Sequence, residues 1–153
     1  MTTGPSFRFR LERVRAVRAR SETIAKQELA RAVSRLSSTQ ADLRAAEADL
    51  EHARVEQRSA ASEPGTVAST DLLARQAFLE RAEAERRAQE LELARREGEV
   101  ADRDAQLSTA SSEHEMLNRL RERHRGEHDR EAARRERNTL DEIATVRYGR
   151  TPV

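Results

Sequence analysis

The sequence predicts an all-α fold, a long two-stranded antiparallel α-helical coiled-coil hairpin with its turn near Pro64 and Gly65. Three observations predict this fold. Alanine, glutamate, arginine, glutamine and leucine, which are strong helix formers, dominate both sides of the turn. Leucine recurs every seven residues on each side. Only 36% of the 153 residues are apolar and 3% are aromatic, which is too little for a compact globular core.

The first helix is predicted over about residues 6–62. Ser6 is a candidate N-cap, so the helix is expected to begin near Phe7. Its first apolar face contains Phe7, Leu11 and Val14. Farther along, a leucine repeat and a repeat of small residues share one seam: Leu29, Leu36, Leu43 and Leu50, with Ala32, Thr39, Ala46 and Ala53. The small members of this a and d seam predict that the partner helix packs closely.

The turn is predicted over residues 63–69, where helix-breaking residues meet. Proline cannot donate a backbone hydrogen bond, and glycine tolerates a positive φ, so Pro64 and Gly65 mark a change of chain direction. The whole chain, residues 1–153, is therefore expected to form a single coiled-coil domain that ends in a short C-terminal tail.

The second helix is predicted over about residues 70–147, with Ser69 or Thr70 as its cap. Its own seven-residue repeat contains Leu72, Leu79, Leu93, Val100 and Leu107, with Arg86 at the missing step. Folding the chain at the turn places Leu50 near Leu79, Leu36 near Leu93 and Leu29 near Val100. The match of two independent repeats about one turn favours an antiparallel pair within one chain.

The charge pattern excludes several classes of protein. The chain has 29 basic and 28 acidic residues, interspersed, which is typical of solvated helix faces rather than of a nucleic-acid-binding surface. It has no cysteine, and its arginine-rich start lacks the apolar core of a secretory signal. No apolar run approaches the roughly 20 residues that span a bilayer. The expected location is the cytoplasm.

The only spacing typical of a metal ligand pair is that of His124 and His128, which lie four residues apart. No cysteine and no third histidine lies near, and although Glu127 or Glu131 could serve as a further ligand, the arginines that surround the pair oppose a cation. The prediction is therefore two solvated histidines and no metal site. No phosphate-binding loop, dinucleotide motif or nucleophile elbow occurs. Because two helices enclose no water-excluded pocket, we expect no catalytic residue, no cofactor and no enzyme activity.

The two ends of the chain carry the most uneven charge. In the first twenty residues Glu12 is the only acid beside six arginines, which are Arg8, Arg10, Arg13, Arg15, Arg18 and Arg20. The predicted second helix is longer than the first, so its last ~20–25 residues lack a partner within the chain. In that segment Leu140, Ile143, Ala144 and Arg147 share one face, which is typical of a helix that docks into a groove.

Three segments point to a family. They are the opening Phe9-Arg10-Leu11-Glu12-Arg13-Val14, the turn at Pro64 and Gly65, and the closing Leu140-Asp141-Glu142-Ile143-Ala144. With the chain's size, its lack of cysteine and its predicted hairpin, these segments make the chain resemble the FliJ family of flagellar type III export proteins.

The resemblance implies a non-enzymatic stalk. It implies that the end bearing both termini inserts into the hexameric export ATPase, and we assign Arg8, Arg10, Arg13, Leu140, Ile143 and Arg147 to that contact. It further implies contact with the cytoplasmic domain of the export gate, near Leu43, Leu50 and Phe78. Export chaperones are the third class of partner implied. The implied location is cytoplasmic, peripherally at the inner face of the cell membrane.

Three alternative functions remain open at this point. The chain could be the stalk of a virulence-type secretion system, or a coiled-coil adaptor or scaffold unrelated to export. It could also bind nucleic acid through its basic end, although the near-neutral net charge of +1 and the scarcity of aromatic residues count against that.

Overall fold

The computed structural model describes residues 6–62, 65 and 68–148 and contains two helices. Helix α1 covers Glu12–Ser62 and helix α2 covers Ser69–Tyr148. The two helices pack against each other, and no strand occurs in the described ranges, which confirms the predicted all-α hairpin. The chain forms two compact units. We call Ile24–Ser108 the central unit, and Met1–Thr23 with Thr109–Val153 the terminal unit.

The seam of the central unit is built mainly from small residues. Five positions of α1 spaced by seven are buried, namely Ala32, Thr39, Ala46, Ala53 and Ala60. The leucines at the other seam position are half-buried except Leu50, which is only 3% exposed. A small side chain at the seam lets two helix backbones approach closely, while longer leucine side chains reach to the edges of the contact. The predicted seam is therefore the packing face of α1 in this unit.

Leu50 is the most buried leucine among the described residues. It forms a buried cluster with Ala53 and Ala82, against which Leu79 packs. This cluster confirms the predicted proximity of Leu50 and Leu79. Polar contacts on the flanks agree with the antiparallel register: Arg35 pairs with Glu99, Arg54 with Glu83, and Gln57 with Gln76. Each step toward the end of α1 is matched by a step toward the beginning of α2.

The second helix begins one residue earlier than predicted. The carbonyl of Ala68 accepts hydrogen bonds from the amides of Asp71 (3.0 Å) and Leu72 (3.3 Å), so Ala68 takes the capping position that Ser69 or Thr70 was expected to fill. Asp71 lies in the first turn, where a carboxylate favours the helix dipole. Of the predicted turn, Pro64 lies outside the described residues, and Gly65 is an exposed bend.

The prediction that the first helix begins near Phe7 is wrong, because α1 begins at Glu12. Ser6 is therefore not its N-cap. The amide of Glu12 donates to the carbonyl of Phe9 at 3.2 Å, which closes the first turn. Phe9 itself is buried at 7% exposure, so tertiary packing of this side chain overrides the helix propensity of the residues around it.

Only part of the predicted first apolar face packs against α2. Phe7 is half-buried, whereas Leu11 and Val14 are exposed, and half-buried polar residues of the terminal unit lie at the contact. On α1 these residues are Glu12, Arg15 and Glu22; on α2 they are Ser111, His114, Asn118 and Arg121. Within this unit, the contact between α1 and α2 therefore includes a run of polar residues.

Candidate functional site

The described part of the terminal unit starts with a short non-helical segment, residues 6–11, which we call the N-terminal arm. Its two phenylalanines contact two histidines of α2. Phe7 lies 5.7 Å from His128 between ring centroids, and Phe9 lies 5.9 Å from His124 in an edge-on arrangement. We call these four residues the aromatic clip. Each of the two histidines that the sequence predicted to be solvated thus also contacts an aromatic ring of the arm, while His124 is exposed and His128 is half-buried.

The spacing of the clip follows from chain geometry. His124 and His128 lie four residues apart on a helix, which corresponds to about 6 Å along its axis. Two residues of extended chain cover about 6.6 Å, so alternate side chains of an extended arm meet histidines at this spacing. The contacts of Phe9 with His124 and of Phe7 with His128 show that the arm runs antiparallel to α2. The alternation of phenylalanine and arginine in residues 7–10 is the sequence signal that could have predicted this arrangement.

Arginines line an open cleft of about 700 Å³ beside the arm. The lining residues are Phe7, Arg8, Phe9, Arg10, Glu12, Arg13 and Arg121. The structure thus brings together the three arginines assigned from the sequence to partner binding, and Arg8, Arg10 and Arg13 are all exposed. A hydrogen bond from Arg15 holds the pKa of Glu12 below its ordinary value, helped by the charge of Arg121. Glu12 is therefore ionised at neutral pH and offsets part of the positive charge of the cleft.

A chain of hydrogen bonds runs through the contact between α1 and α2 in this unit. The hydroxyl of Ser111 donates to Oε1 of Glu22 at 3.3 Å, and His114 Nδ1 lies 2.6 Å from Oε2 of Glu22. Asn118 Nδ2 lies 3.2 Å from His114 Nε2, and Arg15 donates to the Asn118 carbonyl oxygen at 3.3 Å. We call this chain the polar seam.

The donors and acceptors of the polar seam are mutually consistent with one form of His114. Because Arg15 must donate, Asn118 presents its carbonyl oxygen to Arg15 and its amide to His114. Nε2 of His114 then accepts, and Nδ1–H donates to Glu22. Sequence reasoning missed the role of His114. Glu22 lies seven residues before Leu29 on the first leucine repeat, and His114 lies seven residues after Leu107 on the second.

The partners in the polar seam should depend on each other for stability. Glu22 and His114 have side chains only 14% and 19% exposed, so Glu22→Leu or His114→Leu leaves a partly buried polar group without its partner. Each single change should lower the free energy of unfolding by about 1–3 kcal/mol. The double change should recover most of that loss, because two leucines extend the apolar seam.

Urea unfolding, together with hydrogen exchange at residues 12–23, measures this effect. The matched control is Arg18→Gln with Glu113→Gln, which removes a more exposed ion pair of the same unit and should change stability by at most about 1 kcal/mol. Additive losses in the Glu22 and His114 double variant would contradict a coupled pair.

Beyond the polar seam, α2 continues as residues 131–148, all of which are exposed. We call this segment the C-terminal extension. Leu140 and Ile143, assigned from the sequence to partner binding, are 61% and 56% exposed. Ile143 and Arg147 line a shallow groove with Glu142 and Val146. Val146 is exposed as well, and sequence reasoning missed it because it lies off the Leu140 face.

A family comparison covers nearly all of these features. The family model described as Flagellar FliJ protein matches residues 7–152. The chain belongs to the FliJ family. Its match begins at the first phenylalanine of the aromatic clip and extends beyond the C-terminal extension, and it confirms the resemblance that the sequence suggested. The FliJ family is a non-catalytic, coiled-coil family related to flagellar export. Searches of curated proteins and of solved structures returned no match.

In the central unit, the residues assigned to the export gate differ in exposure. Leu50 is buried in the apolar cluster of this FliJ-family chain, so its side chain is not available to a partner, and its assignment as a contact residue is corrected. Leu43 is half-buried. Phe78 is 41% exposed and lines a shallow groove with Ala46 and Ala82. Leu50 occupies the same heptad position as Leu43, and only its packing distinguishes the two.

Two further findings concern the described part of this FliJ-family chain. It contains no group of three or more histidine, cysteine, aspartate or glutamate side chains placed to hold a metal ion. None of its helical segments has the length and apolar character that crossing a membrane requires.

Proposed function

We propose that this FliJ-family protein is a non-enzymatic component of the flagellar type III protein export apparatus, and that its terminal unit docks into the hexameric ring of the export ATPase as a central stalk. The observation that carries the proposal is the co-occurrence of two exposed surfaces in the terminal unit. One is the basic cleft of the N-terminal arm, and the other is the apolar surface of the C-terminal extension.

The C-terminal extension suits entry into a narrow channel. A single α-helix with its side chains is about 10–12 Å wide, so it can enter an opening that excludes two packed helices. Its exposed Leu140 and Ile143 would lose contact with water on docking, which stabilises a complex in proportion to the apolar area covered. Arg147 lies beside Ile143 and offers a charge-assisted contact to an acidic group.

The arginines of the N-terminal arm support a second part of the proposal, electrostatic steering. Exposed charges on a docking surface mainly raise the association rate, and salt screens their effect. Reversal of charge by Arg10→Glu with Arg13→Glu should therefore weaken binding to the export ATPase roughly tenfold or more at low salt, and less at high salt.

The measurement is a titration of purified export ATPase with each variant at two salt concentrations. Arg44→Glu with Arg87→Glu is the control, because it changes the net charge equally at two exposed arginines of the central unit. Equal binding by both double variants would contradict docking through the arm.

Contact with the export gate is part of the same proposal and rests on a different surface. Phe78 is exposed and lies beside a groove lined by small residues of both helices, an arrangement that can accept an apolar side chain of a partner. Phe78 and the half-buried Leu43 are the residues we propose for this contact. Export chaperones are proposed as further partners. The proposed location is cytoplasmic, peripherally at the inner face of the cell membrane.

A further inference from the structure

The N-terminal arm is anchored by the largest buried side chain of the terminal unit. Among the described residues of this unit, only Phe9 and Ala110 are buried. The ring separations of the Phe9–His124 and Phe7–His128 pairs, 5.9 and 5.7 Å, fall within the range of favourable aromatic pairs, about 4.5–7 Å. One such contact would leave the arm free to pivot, whereas two contacts at alternate residues define both its position and its direction on α2.

The seated arm exposes its arginines. Arg8 and Arg10 alternate with the two phenylalanines and are exposed, and Arg13 is exposed in the first turn of α1. We call these three residues the arginine face. No carboxylate in the described ranges forms an ion pair with any of them. Glu12, the one acid of the cleft, is already engaged by Arg15 and Arg121.

We propose that Phe7 and Phe9 are positioning residues, which seat the arm on His128 and His124 and thereby present the arginine face as a preformed surface for an acidic protein segment. The chemistry of the partner follows from charge complementarity, because planar guanidinium groups bind carboxylates with two parallel hydrogen bonds. Preformation matters because an unseated arm must lose conformational freedom on binding, and this loss weakens the complex. The identity of the acidic segment rests on the proposed function, whereas the seating of the arm does not.

The first experiment tests the seating in the full chain by proton NMR of the histidine rings. The chain has four histidines, so each ring signal can be assigned by substitution. Phe9→Leu should shift the signal of His124, and Phe7→Leu that of His128, because each change removes the ring current of the adjacent phenylalanine. Phe78→Leu in the central unit is the matched control and should shift neither. Unchanged histidine signals in both arm variants would overturn the proposal.

The second experiment tests positioning with an acidic probe, a polyglutamate peptide at low salt. The double change Phe7→Ala and Phe9→Ala keeps every arginine. It should nevertheless weaken peptide binding roughly tenfold, because the released arm loses conformational freedom when the peptide binds. The substitutions Arg8→Gln and Arg10→Gln should weaken binding while leaving the histidine signals in place. Wild-type affinity in the phenylalanine double variant would overturn the proposal.

A rescue variant distinguishes positioning from a general loss of structure. His124→Phe with His128→Phe retains an aromatic surface under the arm, so it should bind the peptide as the wild type does, whereas His124→Ala with His128→Ala should bind as weakly as the phenylalanine double variant. Equal weakening by both histidine pairs would count against the clip. If the peptide results hold and the export ATPase does not bind the wild type, the proposed function fails and the positioning role stands.

Discussion

Replacing Leu50 with alanine should lower the free energy of unfolding by about 2–4 kcal/mol. Leu50 is the most buried leucine of the chain's described residues and joins Ala53, Ala82 and Leu79 in the central apolar cluster. Removing three carbon atoms from this position loses their transfer free energy and leaves a cavity, which small neighbouring alanines cannot fill. Because the rest of the seam is rich in alanine, this one leucine carries a large share of the apolar contact.

Chemical denaturation followed by circular dichroism measures the loss. Leu91→Ala is the matched control, since Leu91 is an exposed leucine of α2 and its truncation should change stability by about 0.5 kcal/mol or less. Leu36→Ala and Leu93→Ala should fall between the two, because both leucines are half-buried. A Leu50→Ala variant as stable as the Leu91→Ala control would contradict the packing of the cluster.

Removal of residues 139–153 should abolish stimulation of the export ATPase while leaving the helical pair folded. All residues of 139–148 are exposed, so we expect both units to stay folded without them. The same truncation removes Leu140, Ile143 and Arg147, the surface proposed to enter the ring. The measurement is the rate of ATP hydrolysis by the purified export ATPase, titrated with intact and truncated chains.

A pair of point variants controls for chain length. Leu140→Asp with Ile143→Asp should abolish stimulation as the truncation does, because charged side chains oppose burial in an apolar contact. Leu72→Asp with Leu73→Asp makes the same change at two exposed leucines of the central unit and should leave stimulation intact. Full stimulation by the truncated chain would rule out docking through the extension. An adaptor role, with its contact at Phe78, would then be the leading hypothesis.

The sequence by itself determined the two helices, their antiparallel direction and the seam of the central unit. These features are periodic, and a period is a local property of the chain. A residue at every seventh position faces the partner whatever the partner is, so Ala32, Thr39, Ala46 and Ala53 could be placed at the contact without coordinates. The exposure of the arginines was predictable because charged side chains avoid an apolar seam. The exposure of Leu140 and Ile143 was predictable because the second helix is longer than the first, so its last residues lack a partner within the chain.

Only the tertiary structure decided how the terminal unit is held together. Glu22 and His114 lie at the spacing of the two leucine repeats, but a polar residue at such a position looks like an interruption of the apolar seam until its partner is known. That partner is about ninety residues away in sequence and lies at 2.6 Å only because the register of the two helices aligns them. The start of α1 is also a tertiary effect. Residues 6–11 are not helical, and their Phe7 and Phe9 pack on His128 and His124. The alternation of phenylalanine and arginine there is visible in the sequence, but it does not reveal which distant residues the two rings contact.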